Sequence, residues 1–510
     1  MSTSNIMDPV WIGVDLGTQS VRALAMDSAG QVCAQAAEPL TSHRHTRAHR
    51  QDPQQWAMAT DSVLAAVVRQ LDGRTVAAVS ACATSGTYLL VDSAGEALSP
   101  GVMYDDTDLA QPDVLAEVLE SGAALWSALG HRPQLSWPVV KLLDRQRSGN
   151  WPAAAQVAHQ GDYVLSRLAG HRLPTDSSQA LKTGVDLRDL HWPAVLESIG
   201  LPTRRLPDVV LPGTPIAVVS ASAAERTGLA AGTPLHAGTT DGCAAQFAAG
   251  AVRPGRWNSV LGTTLVLKGV SSSLLRDDSG AVYSHRAPHG DYWLPGGASS
   301  TGAGVLSRYL DADALGRLEP ELAKVSHPGV RRLETCYPLL GVGERFPFRA
   351  PDATGFLRHD GTELALAAAA EALPPARFGT TAALGIGFLE RLCFDLLDLI
   401  GADPPDSVTF TGGATVNQAL NQLRCSTLGV TVTVPESADT ALGAAMLAAS
   451  DLGDVAVLDA RFQRAGSRLE PRLADTARLM PGYRDFVTRL REHGWLPLPL
   501  ATHALSRSAA

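Results

Sequence analysis

The chain has 510 residues, 45% of them apolar and 18% charged, with a formal net charge of −9. That length exceeds a single core and fits two domains, the composition is that of a globular chain, and the acidic balance argues against nucleic acid or a membrane surface as main partner. The opening MSTSNIMDPV lacks a basic stretch followed by an apolar one, and no apolar run reaches membrane-spanning length, so the cytoplasm is the expected setting. Six cysteines without a CxxC pair are expected to be small buried hydrophobes rather than zinc ligands.

In chain order, WIGVDLGTQSVRALAMD comes first. A β-branched run at 10–14 and an alternating run at 21–26 read as paired strands, with a turn at 27–30 after them. Between them lie Asp15, Gly17, Thr18, Gln19 and Ser20. A plain hairpin needs the glycine, but not an acid, two hydroxyls and an amide together. Backbone N–H groups and hydroxyls exposed at such a turn cradle phosphate oxygens, and Asp15 can hold the accompanying magnesium through water. The alternative at this point is an ordinary hairpin.

The basic, histidine-rich HRHTRAHRQ at 43–51 reads as a solvated loop. QQWAMATDSVLAAVVRQL at 54–71 has helical spacing, and TVAAVSACAT at 75–84 reads as a buried strand that ends in a small-residue loop at 84–87. This alternation predicts an α/β sheet with ligand loops at strand ends. The Pro- and Gly-rich stretch at 206–234 is expected to be the crossing between two domains, 1–235 and 236–510.

The opening pattern then returns, because SVLGTTLVLKG at 259–269 is again strand, Gly-Thr-Thr turn, strand. Two such hairpins point to duplicated lobes facing each other across a nucleotide. A third Gly-rich element, VTFTGGATVN at 408–417, reads as a strand, a turn at Gly412 and Gly413, and a helix over 417–428 with Leu420 and Leu423 inward. Glycines let a flat base or a ribose approach the backbone, and Asn417 can hydrogen-bond it.

The order DLGT at 15–18, GTTDG at 238–242, LGTTL at 261–265 and TGGATVN at 411–417 resembles the FGGY carbohydrate kinases. RQDPQQW at 50–56 and LGAAMLAA at 442–449 extend the resemblance over nearly the whole chain. ATSGTYLLVDSAGEAL, VYSHR, WLPGGASSTGAGVL and YPLLGVGERFPF are similar to the D-ribulose kinase subgroup of plants and cyanobacteria. The resemblance implies an α/β, actin-like (ribonuclease H-like) fold of two similar lobes around a cleft, with ATP and Mg2+ as cofactors. It assigns the phosphates and metal to Asp15, Gly17, Thr18 and Gln19, and the other side of the phosphates to Gly262, Thr263 and Thr264. It gives the adenosine to Gly412, Gly413 and Asn417, and the catalytic carboxylate to Asp241.

Phosphoryl transfer to a sugar hydroxyl needs positioning, charge screening and one base. Asp241 suits the base, since it follows the strand LHAGTT and precedes the small residues that begin a helix. The structural alternative is a helix N-cap. Ser85 in CATSGT replaces the Gln-Met-His stretch of typical xylulose kinases and aligns with the serine that the ribulose kinases use on the sugar. With Asp15 and Asp241, Asp106 in MYDDTD is a further candidate for a sugar hydroxyl, or else a surface acid. Arg286, Glu344 and Arg345 are expected to form structural ion pairs. The segment before Trp495 resembles the closing helix of the family, and the Pro-rich residues after it read as a loose tail.

The expected activity is therefore ATP-dependent phosphorylation of the terminal hydroxyl of a ketopentose, D-ribulose first, with D-xylulose or another pentulose or pentitol as the alternative. From a different class, the alternative is an actin-like ATP-dependent conformational switch with no sugar transfer, as in the heat-shock chaperones. The partners expected are the sugar and ATP only.

Overall fold

A computed structural model describes residues 8–325, 334–461 and 466–508. Residues 1–7, 326–333, 462–465 and 509–510 lie outside these, among them most of the opening stretch and the last two residues of the C-terminal tail discussed above. The described residues form two compact units. One comprises the chain up to Val252 with His285–Leu294 and Ser437–Arg464, and the other comprises Arg253–Ser284, Pro295–Glu436 and the chain from Ala465.

The first unit is built on a seven-stranded sheet in the order Pro215–Val218, Pro234–His236, Val76–Ala83, Val10–Leu16, Ser20–Asp27, Val32–Pro39, with Thr239–Thr240 also on Val76–Ala83. Val10–Leu16 pairs antiparallel with Ser20–Asp27 and parallel with Val76–Ala83, so the predicted hairpin has a parallel neighbour. The helix Pro53–Gln70 buries Trp56, Val63, Leu64 and Val67 against the sheet, and Asp52 caps it by accepting a hydrogen bond from Gln54 N. The second unit repeats the arrangement: Arg256–Leu261 pairs antiparallel with Leu265–Gly269 and parallel with Ser407–Thr411. The long helix Pro375–Leu399 is buried along most of its length, which its predominantly apolar sequence dictates.

Four expectations need correction. The boundary does not fall at 235/236: the Pro- and Gly-rich segment 206–234 lies inside the first unit, where Pro215–Val218 pairs with Pro234–His236. Residues 236–252 and 437–464 belong to that unit as well. The returning helix Thr440–Ala448 lies so close that a Cβ on Gly13 would sit 1.9 Å from Ala441 O, and one on Gly443 would sit 2.0 Å from Ala244 O. Only glycine permits these approaches.

Residues 43–51 are not a loop but the paired strands His43–His45 and Ala48–Gln51, with His49 and Gln51 buried. The tail after Trp495 is the helix Leu498–Arg507. Its prolines stand at the helix start, where the missing N–H costs nothing, and Leu500, Ala501 and Ala504 form a buried face. Finally, Cys33 is exposed, while the other five cysteines are buried.

Candidate active site

Three of the predicted segments leave neighbouring strands of the first unit's sheet. Asp15 is the register partner of Cys82, and Cys82 is the partner of Thr239, so the chain ends at 16–19, 84–87 and 241 emerge side by side from parallel strands. Ligand sites of α/β sheets form at such carboxyl ends.

Asp15 is 3% exposed. Its Oδ2 accepts from Thr440 Oγ1 at 2.5 Å and its Oδ1 from Cys82 Sγ at 3.5 Å, with Arg22 Nη2 at 3.7 Å. Burial pushes its pKa up from the ordinary carboxylate value, opposed by the Thr440 hydrogen bond and Arg22, and the charges of Asp241 and Asp439 push it further up. At Gly17 and Thr18 the turn closes through Gly17 N donating to Ser20 O at 3.0 Å. Gln51 fixes it from below: its Nε2 donates to Thr18 O at 2.7 Å while its Oε1 accepts from Trp56 Nε1 at 2.7 Å. Gln19 is exposed.

Asp241 is the first residue of the helix Asp241–Ala248, with Thr240 in the cap position. It is half-buried, and its Oδ1 accepts from Gly242 N at 2.7 Å. Ser85 lies in the loop after Val76–Ala83. Its Oγ is buried without a hydrogen-bond partner among the described residues, while its carbonyl accepts from Lys182 Nζ at 2.9 Å. An unpaired buried hydroxyl is costly unless a ligand satisfies it.

Asp106 is not a surface acid. It is fully buried, it accepts from His49 N at 2.6 Å and Asp108 N at 3.1 Å, and it is ion-paired with Arg50. These bonds brace the 103–108 loop from its buried carboxylate. Tyr104 lies in the same loop. Burial raises its phenol, with the charges of Asp105 and Asp241 acting the same way and a hydrogen bond with Thr18 opposing. The Thr18 hydrogen bond joins this side chain to the 16–19 turn, a neighbourhood that no local spacing announces.

In the second unit, Gly262, Thr263 and Thr264 form the turn between Arg256–Leu261 and Leu265–Gly269, with Thr263 exposed. The turn is backed by 299–304: Ala303 N donates to Gly262 O at 2.9 Å, and a Cβ on Gly302 would sit 2.5 Å from Thr264. Glu344 holds that backing segment. It is 3% exposed and accepts from Ser299 Oγ, Ser300 N, Thr301 Oγ1 and Tyr337 OH at 2.6–3.0 Å. The expected ion pair at Glu344 is thus a set of neutral hydrogen bonds, and Arg345 donates separately to Ser300 Oγ and Ser299 O. Arg286 does pair, with Asp291 at 2.7 Å, and lies over the Trp293 ring.

Gly412, at φ +91, would place a Cβ 2.6 Å from Leu261 O, so the strand end turns there only with glycine. Gly413 faces open space. Asn417 is the cap of the helix Gln418–Leu428, its Oδ1 accepting from Leu420 N at 2.8 Å, which leaves the Nδ2 donors for a ligand.

Among the described residues no helix is long and apolar enough to cross a membrane. Residues 10–248 match the N-terminal domain, and 257–452 the C-terminal domain, of the FGGY family of carbohydrate kinases. The chain is 31% identical over 472 residues to a xylulose kinase of Streptomyces coelicolor, covering 90% of this chain and 91% of that protein. A xylulose kinase of Escherichia coli is 25% identical over 452 residues, covering 86% and 89%. The fold is shared with the solved xylulose kinase of Rhodospirillum rubrum, at 23% identity and a TM-score of 0.83 over 95% of this chain and 99% of that one. It is also shared with the glycerol kinase of Plasmodium falciparum solved with ADP, at 14% identity and a TM-score of 0.79 over 96% and 99%. With its paired strand–turn–strand cradles and their two matching domains, the chain belongs to the FGGY family of carbohydrate kinases, sugar kinases of the actin-like two-domain fold.

Proposed function

We propose that the protein transfers the γ-phosphoryl group of MgATP to the terminal hydroxyl of a pentulose, with D-ribulose as its first substrate. The observation that carries this reading is the emergence of Asp15, Ser85 and Asp241 from adjacent strand ends of one sheet. Asp241 acts as general base. It takes the hydroxyl proton as the sugar oxygen bonds to the γ-phosphorus and the bond to the ADP oxygen breaks. The phosphates are addressed by the turns at Gly17, Thr18 and Gln19 and at Gly262, Thr263 and Thr264, and the adenosine by Gly412, Gly413 and Asn417.

Asp15 fits a role beside Mg2+. Burial first, and then the charges of Asp241 and Asp439, push its pKa up against Thr440 and Arg22, and a divalent cation would relieve that burden on the carboxylate. Its oxygens already accept from Thr440 and Cys82, which favours contact through water. When bound, the cation screens charge on the phosphates. The small, hydroxylated loop at 84–87 and the Ser85 Oγ, unpaired among the described residues, support D-ribulose. D-xylulose is the second reading, favoured by the names of the relatives at 31% and 25% identity. The two sugars differ only in configuration at C3.

The test is kcat/KM for D-ribulose, D-xylulose, L-ribulose, ribitol and glycerol with MgATP. Asp241→Asn keeps the shape but cannot take a proton, so kcat is expected to fall by roughly 10² to 10⁴. Near-wild-type turnover in that variant would remove Asp241 from the role of base. ATP hydrolysis that no sugar stimulates and that yields no sugar phosphate would overturn the kinase reading in favour of a conformational switch.

A further inference from the structure

A buried polar turn at 175–183 has no part in the chemistry above, yet it touches both strand ends that carry the proposed sugar and base residues. Thr239–Thr240 is a strand of only two residues, too short for its ladder to hold Asp241 in place alone. Ser178 supplements it. Its Oγ donates to Asp176 Oδ1, accepts from Thr240 N at 2.9 Å, and lies 3.0 Å from Thr239 Oγ1. One proton and two lone pairs are thereby all used. Gln179 spans the two strands, its Nε2 donating to Ala83 O at 3.3 Å and Thr239 O at 3.2 Å.

Asp176 anchors the turn by accepting also from Ser178 N at 2.8 Å and Gln179 N at 3.1 Å. All three side chains are at least 98% buried. Burial, helped by the charge of Asp162, pushes Asp176 up to about 7 against these hydrogen bonds. On its far side the same turn places Lys182 Nζ on Ser85 O. A buried carboxyl held only by hydrogen bonds is a poor way to gain stability, because it has lost its hydration. It is a good way to fix one arrangement.

We infer that Asp176, Ser178 and Gln179 are positioning residues that set Asp241 in register with the loop bearing Ser85, so that base and sugar hydroxyl meet at reacting distance. The inference rests on the reading of Asp241 as base. Displacements of about an ångström at a reacting group cost up to about 10²-fold in rate. Nucleotide binding has no stake in this bracket, because none of its bonds reaches the turns assigned to ATP.

The experiment compares the wild-type chain, Ser178→Ala, Gln179→Met and Asp241→Asn for kcat, KM for the best pentulose, KM for ATP, and the acid limb of the kcat pH profile, with melting temperature and active-protein fraction measured alongside. The expected result for Ser178→Ala and Gln179→Met is a kcat at least tenfold lower, an acid limb displaced from that of the wild type, and a KM for ATP changed less than twofold. A merely structural role would lower melting temperature or active fraction and leave kcat per active molecule and the acid limb unchanged, which overturns the inference. Should Ser178→Ala fail to fold, Gln179→Met decides by the same criteria, since it keeps side-chain volume and removes only the bridge. Full activity of Asp241→Asn overturns the base reading and the inference together, whereas wild-type kcat in both bracket variants beside an inactive Asp241→Asn overturns the inference alone.

Discussion

At Ser85 the local sequence and the folded surroundings meet in one hydroxyl. The loop serine expected from its neighbours is there, but only the fold shows that its Oγ is buried with no partner among the described residues. If a sugar hydroxyl completes it, Ser85→Ala removes one hydrogen bond and raises the KM for pentulose by roughly 1 kcal/mol or somewhat more, about five- to tenfold. The KM for ATP is expected to stay put, and steady-state kinetics on both substrates checks this. Equal losses on both would mean that the loop merely packs. Asp106 shows the opposite lesson. Its sequence context left a sugar contact or a surface acid open, and the surface acid does not hold, because His49 N and Arg50, more than fifty residues upstream, converge on the buried carboxylate. No window along the chain contains that information.

Among the elements, the two strand–turn–strand units are the most legible, because glycine, hydroxyls and β-branched runs act over only a few residues. What braces them is not local. In the second unit Ser259 and Phe410 are cross-strand partners just ahead of the turns at 262–264 and 412–413. Onto this pair folds Arg424, fully buried, which donates to Ser259 Oγ at 2.9 Å and to Glu390 at 2.7 and 2.8 Å and stacks 3.6 Å over the Phe410 ring. Removing one partner of such a pair strands a buried charge. Arg424→Met alone is therefore expected to cost about 3–5 kcal/mol, and the double change Glu390→Leu with Arg424→Met to restore most of it. Denaturant unfolding of the three proteins measures this, and a double variant less stable than the single one would show that the pair contributes net stability.

For the whole molecule, the chain's path departs most from its linear reading at its C-terminal end. Residues that look like a loose tail form the helix Leu498–Arg507, whose Arg507 pairs with the buried Asp395 at 2.9 Å and whose His503 lies 2.7 Å from Asp398. A chain ending at Leu496 loses the burial of Leu500, about 1.5–3 kcal/mol, and the guanidinium beside Asp395. Its melting temperature is expected to fall by several degrees in a calorimetric scan. An unchanged value would return these residues to the status of a tail.

By itself, the sequence determined the kind of fold, the two Gly-Thr turns between paired strands, the Gly412–Gly413 turn and the place of Asp241 between a strand and a helix, since each depends on residues close together in the chain. The tertiary structure alone decided that 437–464 returns to the first unit, that Glu344 braces the 262–264 turn through hydrogen bonds rather than an ion pair, and that Asp176, Ser178 and Gln179 bridge two strand ends. These outcomes turn on the burial of polar groups and on partners sixty or more residues apart in several of them. Desolvation and long-range pairing are properties of the packed chain, and no local pattern encodes them.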